Sequence, residues 1–321
     1  MHKRKLGHTA IELTEIALGT WGLGGAYGRQ DERVARATLE AALEAGVTTF
    51  DLSPLWGEGK VEGWVGEAIE GQRDGTQLVL RSGAVVTGDR VAHRFDPPSL
   101  RADLEGSLTR LKTDRVEVWL LHEPGPGALE PPQGDDAVGE REDLYAFCQG
   151  LVDEGVVGAW GLSSARPDAI RLALERGAKA VCMPYNLLHR DELHGLQSEI
   201  AAAGAGVLAR SPLLHGLLTA RWTEYRQFAS DDHRQARWTQ EALRKRLRHV
   251  AALRYLVHDD VPNMATAAVR FVLNSPVVTS CLLGARRPLQ IADAAAMAGE
   301  PPYLDGDDLA RLGQVLEAAG A

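Results

Sequence analysis

The sequence predicts a (β/α)8 barrel, and three observations carry that prediction. Eight short apolar or β-branched runs are each followed by a longer amphipathic stretch rich in Ala, Leu, Glu and Arg. No sequence repeat interrupts the alternation, which sets aside solenoids and propellers. A length of 321 residues suits one barrel, so a single domain over 1–321 is expected. A doubly wound open sheet is the competitor, and it rarely runs to eight such units without a break in composition.

In chain order, Lys3–Leu6 and Ile11–Leu13 flank Gly7-His8-Thr9-Ala10 and read as a β-hairpin that plugs the barrel bottom. The barrel strands are expected at 15–20, 48–53, 78–83, 116–122, 157–163, 180–186, 206–212 and 277–284. Helices are expected at 31–45, 60–70, 98–112, 142–154, 167–175, 191–203, 265–273 and 289–297. Asp31 suits the first helix as an N-cap, and Gly46, Gly155, Gly177 and Gly204 stand just past helix ends. Two connections are long: 123–141, rich in Gly, Pro and Asp, and 214–260, which carries a helical pattern of its own at 240–257. These loops, after strands four and seven, leave strand C-termini, the end of a barrel that carries chemistry.

Composition narrows the partners. With 35 Lys+Arg against 44 Asp+Glu the formal charge is −9, and no basic block marks a nucleic-acid or anionic-membrane surface. Cys148, Cys182 and Cys281 are far apart and odd in number, so neither a disulfide framework nor a structural zinc site is expected. No apolar run reaches membrane-span length, and Met1-His2-Lys3-Arg4 opens no signal-peptide core; the cytoplasm is the expected compartment. No surface stripe speaks to oligomeric state.

Several motifs fail on inspection. Gly22-Leu23-Gly24-Gly25-Ala26-Tyr27-Gly28 lacks the third glycine of a dinucleotide fingerprint at the required spacing, and reads as a flexible loop. Gly161-Leu162-Ser163-Ser164-Ala165 lacks the last glycine of a nucleophile elbow. His189 and His194, near Asp191 and Glu192, match no metal spacing.

The informative residues are at strand ends. By period-two alternation Thr49, Asp51 and Ser53 share one face of strand two, with Phe50 and Leu52 on the other. Helices cover the outside, so the apolar pair faces out and Asp51 faces in. The same logic turns Val118, Leu120 and His122 inward on strand four. A carboxylate and an imidazole are thereby expected together at the C-terminal mouth.

At these residues the chain resembles the aldo-keto reductases over nearly its whole length. The resemblance runs through Lys5-Leu6-Gly7, Leu18-Gly19-Thr20-Trp21, Gly46-Val47-Thr48-Thr49-Phe50-Asp51 and Gly57-Glu58-Gly59-Lys60-Val61-Glu62. It continues with Leu121-His122, Gly161-Leu162-Ser163-Ser164, Pro184-Tyr185-Asn186, Ser211-Pro212-Leu213, Asp232-His233-Arg234 and Gly284-Ala285-Arg286-Arg287. It implies NADPH bound across the mouth and reduction of an aldehyde or ketone. It further implies that Thr20, Trp21, Ser163, Ser164, Cys182, Arg210, Ser211, Leu213, Gly284, Arg286 and Gln290 lie along the cofactor.

The family's catalytic set is an aspartate, a histidine, a tyrosine acid and the lysine that tunes it. Asp51 and His122 match. Trp56 stands at the tyrosine position and Gly83 at the lysine position. Ser164 replaces the usual amide beside the nicotinamide, Cys182 a glutamine, Arg210 the stacking aromatic, and Ala294 an asparagine near the adenosine phosphate.

These changes have physical consequences. An indole N–H hydrogen-bonds but does not deliver a proton at neutral pH. Tyr27, in the loop after strand one, is the available phenol and a replacement-acid hypothesis. Asp51 needs a new cation, because a buried unpaired carboxylate is costly. Arg81 shares the strand face with Gly83, two residues lower, and is expected to point inward and pair with Asp51. Arg210 is hard to reconcile with stacking on a cationic oxidised nicotinamide, so it either faces an acidic substrate or the ring binds differently. The leading expectation is a divergent NADPH-dependent carbonyl reductase with weak or atypical turnover. The alternatives are a redox-independent lyase or isomerase on an anionic substrate, with His122 as base and Arg81, Arg210 and Glu123 as binding groups, or a non-catalytic NADPH-binding relative.

Overall fold

In the computed structural model, which describes residues 1–87, 90–123 and 140–320, eight parallel strands close into a barrel. They are, in chain order, Ile16–Gly19, Thr49–Leu52, Gln77–Ser82, Val116–His122, Val157–Ser163, Ala180–Pro184, Gly206–Arg210 and Val278–Gly284. Each strand hydrogen-bonds the next, and the eighth closes on the first through Cys281↔Ile16 to Gly284↔Gly19. The fold is the (β/α)8 barrel that the alternation predicts.

Two cores follow from the strand periodicity. Val79, Val118, Leu120, Ala159, Ala180, Cys182, Leu208 and Leu282 fill the barrel interior, while Phe50, Leu52, Leu78, Leu80, Trp119 and Leu121 pack outward under the helices. The antiparallel hairpin Lys3–Lys5 with Glu12–Thr14 sends Leu6 and Leu13 into the interior cluster. It rests on the N-terminal strand ends, where His8 N donates to Gly204 O at 2.9 Å and Thr279 Oγ1 to Lys5 O at 3.2 Å. The bottom is plugged as expected.

Helix boundaries obey local chemistry. The Asp31 carboxylate accepts from the Arg33 and Val34 amides and caps helix Glu32–Glu44, and Gly46 follows at φ +75°. The expected helix at 240–257 is an α-helix, Gln240–Ala252, capped by Thr239 and tightened into a 3-10 turn at Leu253–Leu256.

Three features were not foreseen. A two-stranded hairpin, Ala84–Thr87 with Arg90–His93, follows the third barrel strand. A last helix, Gly306–Ala318, is capped by Asp305 and buries Leu312 and Leu316. The third barrel strand stops at Ser82, so Gly83, expected as its final residue, is instead a turn residue at φ +92°. Most of the long connection expected after strand four lies outside the described residues. No helix among the described residues is long and apolar enough to cross a membrane.

Candidate active site at the barrel mouth

A cavity of about 1160 Å³ opens at the C-terminal strand ends. Asp51, Trp56, Arg81 and His122 line its floor, and Gly284, Arg286, Arg287 and Gln290 line its far end. Trp21, Tyr27, Arg210, Ser211 and Leu213 line the stretch between.

The floor is organised by Arg81. Its Nε donates to Asp51 Oδ1 at 2.8 Å and its Nη2 to Asp51 Oδ2 at 2.9 Å, both side chains being buried. Its Nη1 donates to Ser163 Oγ at 2.8 Å, and Nη2 also reaches Cys182 Sγ at 3.3 Å. Arg81 therefore points inward and neutralises Asp51, as the strand-face argument expects. Burial lifts the Asp51 carboxyl above its ordinary value against the opposing Arg81 charge. Burial also works against the Arg81 cation, and Asp51 more than offsets it, so the guanidinium stays charged.

Position 83 has no room for a longer side chain. At φ +92° an L side chain is strained, and a Cβ would overlap the ring of Phe95, which follows the extra hairpin. The cation that meets Asp51 comes from Arg81, two residues before this turn.

Trp56 is buried beside this pair, with the Arg81 guanidinium 5.6 Å from its ring. His122 Nδ1 is buried without a hydrogen-bond partner among the described residues. Burial first, then the charges of Arg81 and Arg210, hold the His122 pKa down to about 3. Its ring is neutral at working pH: one N–H donor and one lone pair.

Other predicted residues fall into two groups. Thr20, Ser163, Ser164 and Cys182 are buried and are not among the residues lining the cavity. Thr20 Oγ1 donates to the Asp51 carbonyl at 2.9 Å, and Ser164 Oγ accepts from the Arg166 amide at 3.1 Å. Burial, opposed by Arg81, raises the Cys182 thiol pKa. The second group faces the cavity. Arg210 pairs with Glu123, Nη2 to Oε1 at 2.7 Å, so its charge is partly met within the chain. The Tyr27 hydroxyl lies 3.4 Å from His215 Nδ1, directed at the loop after strand seven. Burial raises the Tyr27 pKa, which makes it a poorer acid.

Arg286 is tied to the loop after strand one. Its Nε donates to Gln30 Oε1 at 2.9 Å, its Nη1 to the Tyr27 carbonyl at 2.7 Å, and its Nη2 to the Gly28 and Arg29 carbonyls at 2.9 Å. Gln290 Oε1 accepts from the Arg286 amide at 2.8 Å, at the start of helix Pro288–Ala296. Asp232-His233-Arg234 ties the loop after strand seven to the loop after strand one: His233 N donates to Ala26 O at 3.1 Å, Arg234 pairs with Asp232 at 2.6 Å and stacks over Tyr27 at 4.8 Å.

The sequence reading missed His215 and Phe95. For His215 no local signal exists, since its role depends on the path of a long loop. Phe95 follows from the extra hairpin, which was readable as two alternating runs around Gly88-Asp89.

Comparison with known proteins agrees with this geometry. "Aldo-keto reductase YhdN" of Bacillus subtilis (strain 168) is 28% identical over 326 residues, covering 99% of this chain and 94% of that protein. "NADH-specific methylglyoxal reductase" of Escherichia coli (strain K12) is 27% identical, covering 92% and 93%. Among solved structures, the glycerol dehydrogenase AKR11B4 from Gluconobacter oxydans superposes with a TM-score of 0.84 at 24% identity, over 99% of this chain and 95% of that one. The model of the aldo/keto reductase family matches residues 15–317. With the barrel in place and Asp51 and His122 both lining its mouth cavity, the chain belongs to the aldo/keto reductase family.

Proposed function

We propose that this protein is an NADPH-dependent reductase of small carbonyl compounds whose proton-transfer machinery is atypical. The observation that carries the reading is one cavity running from Asp51 and His122 to Arg286, Arg287 and Gln290. The residues present fit a dinucleotide phosphate at the far end. Two arginines precede helix Pro288–Ala296, whose N-terminus is itself favourable to anions. Arg286 has its donors on loop carbonyls and the Gln30 side chain, so it contributes charge there and fixes the loop, while Arg287 is a second cation lining that end. Bound NADPH supplies the hydride.

The chain's own residues bind and orient the carbonyl. His122, neutral, offers one N–H, and the Trp56 indole offers another. The Asp51–Arg81 pair holds the floor rigid and releases no proton, because arginine keeps its charge under working conditions. Positioning alone supplies roughly 7–11 kcal/mol of a barrier, whereas a missing general acid costs about 10²–10⁴-fold. Slow turnover is the consequence.

A second reading, a relative that binds dinucleotide without turnover, is favoured by the steric exclusion of any side chain at Gly83. A lyase using His122 as base is disfavoured, since an imidazole with a pKa near 3 is a poor base at neutral pH.

Fluorescence titration with NADPH and NADH tests the proposal, with selective NADPH binding expected. Absence of binding by either dinucleotide removes it. NADPH binding with no oxidation across a panel of aldehydes and ketones selects the non-catalytic reading.

A further inference from the structure

Two arginines at the mouth are engaged in different ways. Arg81 uses its Nε–Nη2 edge fully: both donors on that edge meet the two oxygens of Asp51. Arg210 uses the same edge by half. Its Nη2 meets Glu123 Oε1 at 2.7 Å, while its Nε is buried with no partner among the described residues. A buried guanidinium N–H without an acceptor is costly, and it marks the place where an acceptor belongs.

The acceptor's chemistry follows from the donor. A planar Nε–Nη2 edge matches the two oxygens of a carboxylate side-on. The cavity around it is lined by eight arginines against three carboxylates, Asp31, Asp51 and Glu123, in a chain whose net charge is −9. Glu123 also directly follows His122, so the half-filled edge stands at the residue next to the carbonyl-orienting imidazole. Glu123 is held there under strain: its φ is +51°, and its amide is tied to the Ser163 carbonyl at 2.8 Å. Ser211, next to Arg210, is likewise left-handed at φ +59°. Strained residues on both sides of one ion pair indicate a geometry maintained against local preference.

We propose that Arg210 is a carboxylate-recognition residue, and that the favoured carbonyl substrates carry a carboxylate which takes its Nε–Nη2 edge in place of Glu123. This assignment of substrate class rests on the reductase reading above. Glu123 acts as an internal stand-in: it keeps Arg210 aligned in the free protein and yields to a ligand that fills both donors. Neutral aldehydes leave the pair closed and gain nothing from it.

The test measures binding without turnover, using full-length protein without added dinucleotide. 4-Hydroxymethylbenzoate and benzyl alcohol share a ring and an alcohol and differ in the carboxylate. Calorimetric titration is expected to show the carboxylate ligand binding on the order of tenfold or more tightly, the scale of a charge-assisted hydrogen-bond pair. Glu123→Gln is expected to widen that ratio and Arg210→Gln to abolish it. Arg210→Lys, which keeps the charge and loses the edge, is expected to fall between them and guards against misfolding of the glutamine variant. NADPH titration of the same variants distinguishes the other source of anion, the dinucleotide phosphates. If Arg210→Gln weakens NADPH and leaves the ligand ratio intact, the edge serves the cofactor and the proposal is overturned. A ratio near one in the unaltered protein also overturns it. A carboxylate preference in a chain that binds no NADPH upholds the subsite and removes the reductase reading.

Discussion

Arg81 and Asp51 meet edge to edge, Nε to Oδ1 at 2.8 Å and Nη2 to Oδ2 at 2.9 Å, both buried at the floor of the barrel mouth. The pair occupies the floor on which a carbonyl substrate would be reduced. A buried ion pair of this kind roughly breaks even against its desolvation, whereas either member alone is a liability.

Arg81→Met is therefore expected to destabilise the fold by about 3–5 kcal/mol, by leaving a buried carboxylate unpaired. The double change Arg81→Met with Asp51→Leu is expected to recover most of that loss. Urea unfolding midpoints of the three proteins decide the point; additive losses would mean that the two residues act separately.

Introducing the tyrosine and lysine that the family resemblance implies at positions 56 and 83 is expected to succeed at the first and fail at the second. Trp56→Tyr places a phenol at the cavity floor, and kcat toward an aliphatic aldehyde should rise about 10²-fold, the low end of general-acid effects. Gly83→Lys places a side chain on a left-handed residue and against Phe95, and should cost roughly 1–3 kcal/mol of stability or more. Steady-state kinetics and thermal melts of both variants test this asymmetry.

Acid should weaken the fold through its histidines. His122 titrates near 3 in the folded chain, because of burial and then the charges of Arg81 and Arg210, against about 6.5 unfolded. A depressed histidine contributes stability that is complete above the unfolded pKa and lost as pH falls toward the folded one. At pH 5 the loss from His122 is about 2 kcal/mol, and His215 and His233, pushed down to about 3 and about 4, act in the same direction. His258 runs oppositely: hydrogen bonds to Asp308 and Asp259 raise its pKa, so its contribution is present at low pH and lost as pH rises through the folded value. Denaturant midpoints measured from pH 7.5 to 4.5 should fall steadily, and a flat profile would contradict the burial of these rings.

Arg286→Gln removes the charge facing the far end of the cavity and the donors that hold the carbonyls of residues 27–29. We expect NADPH affinity to drop on the order of tenfold or more, with NADH affinity changed much less, since the added phosphate of NADPH is the group that a nearby positive charge favours. Equal losses for both dinucleotides would assign Arg286 to loop support alone.

How much of this was legible depends on whether a feature is periodic or contextual. Strands Val116–His122 and Val157–Ser163 end where their apolar runs end, and Arg81 facing Asp51 follows from counting by twos along two strands. Gly83 carried no such signal: it turns at φ +92°, and Phe95, twelve residues on, occupies the space that its side chain would need. Helix Gly306–Ala318 was legible and went unread, since Asp305 caps it and Leu309, Leu312 and Leu316 recur at helical spacing. The grip of Arg286 on three loop carbonyls, the Glu123–Arg210 pair and the neutral state of His122 all depend on loop paths and burial. A linear string does not encode these locally.

Because Leu6 and Leu13 stopper the lower end, any molecule reaching Asp51 must pass the rim where arginines outnumber acids. That makes the entrance an electrostatic funnel within an otherwise negative surface, and anionic ligands should associate faster as ionic strength falls. Neutral ligands of the same size should arrive at a rate indifferent to salt.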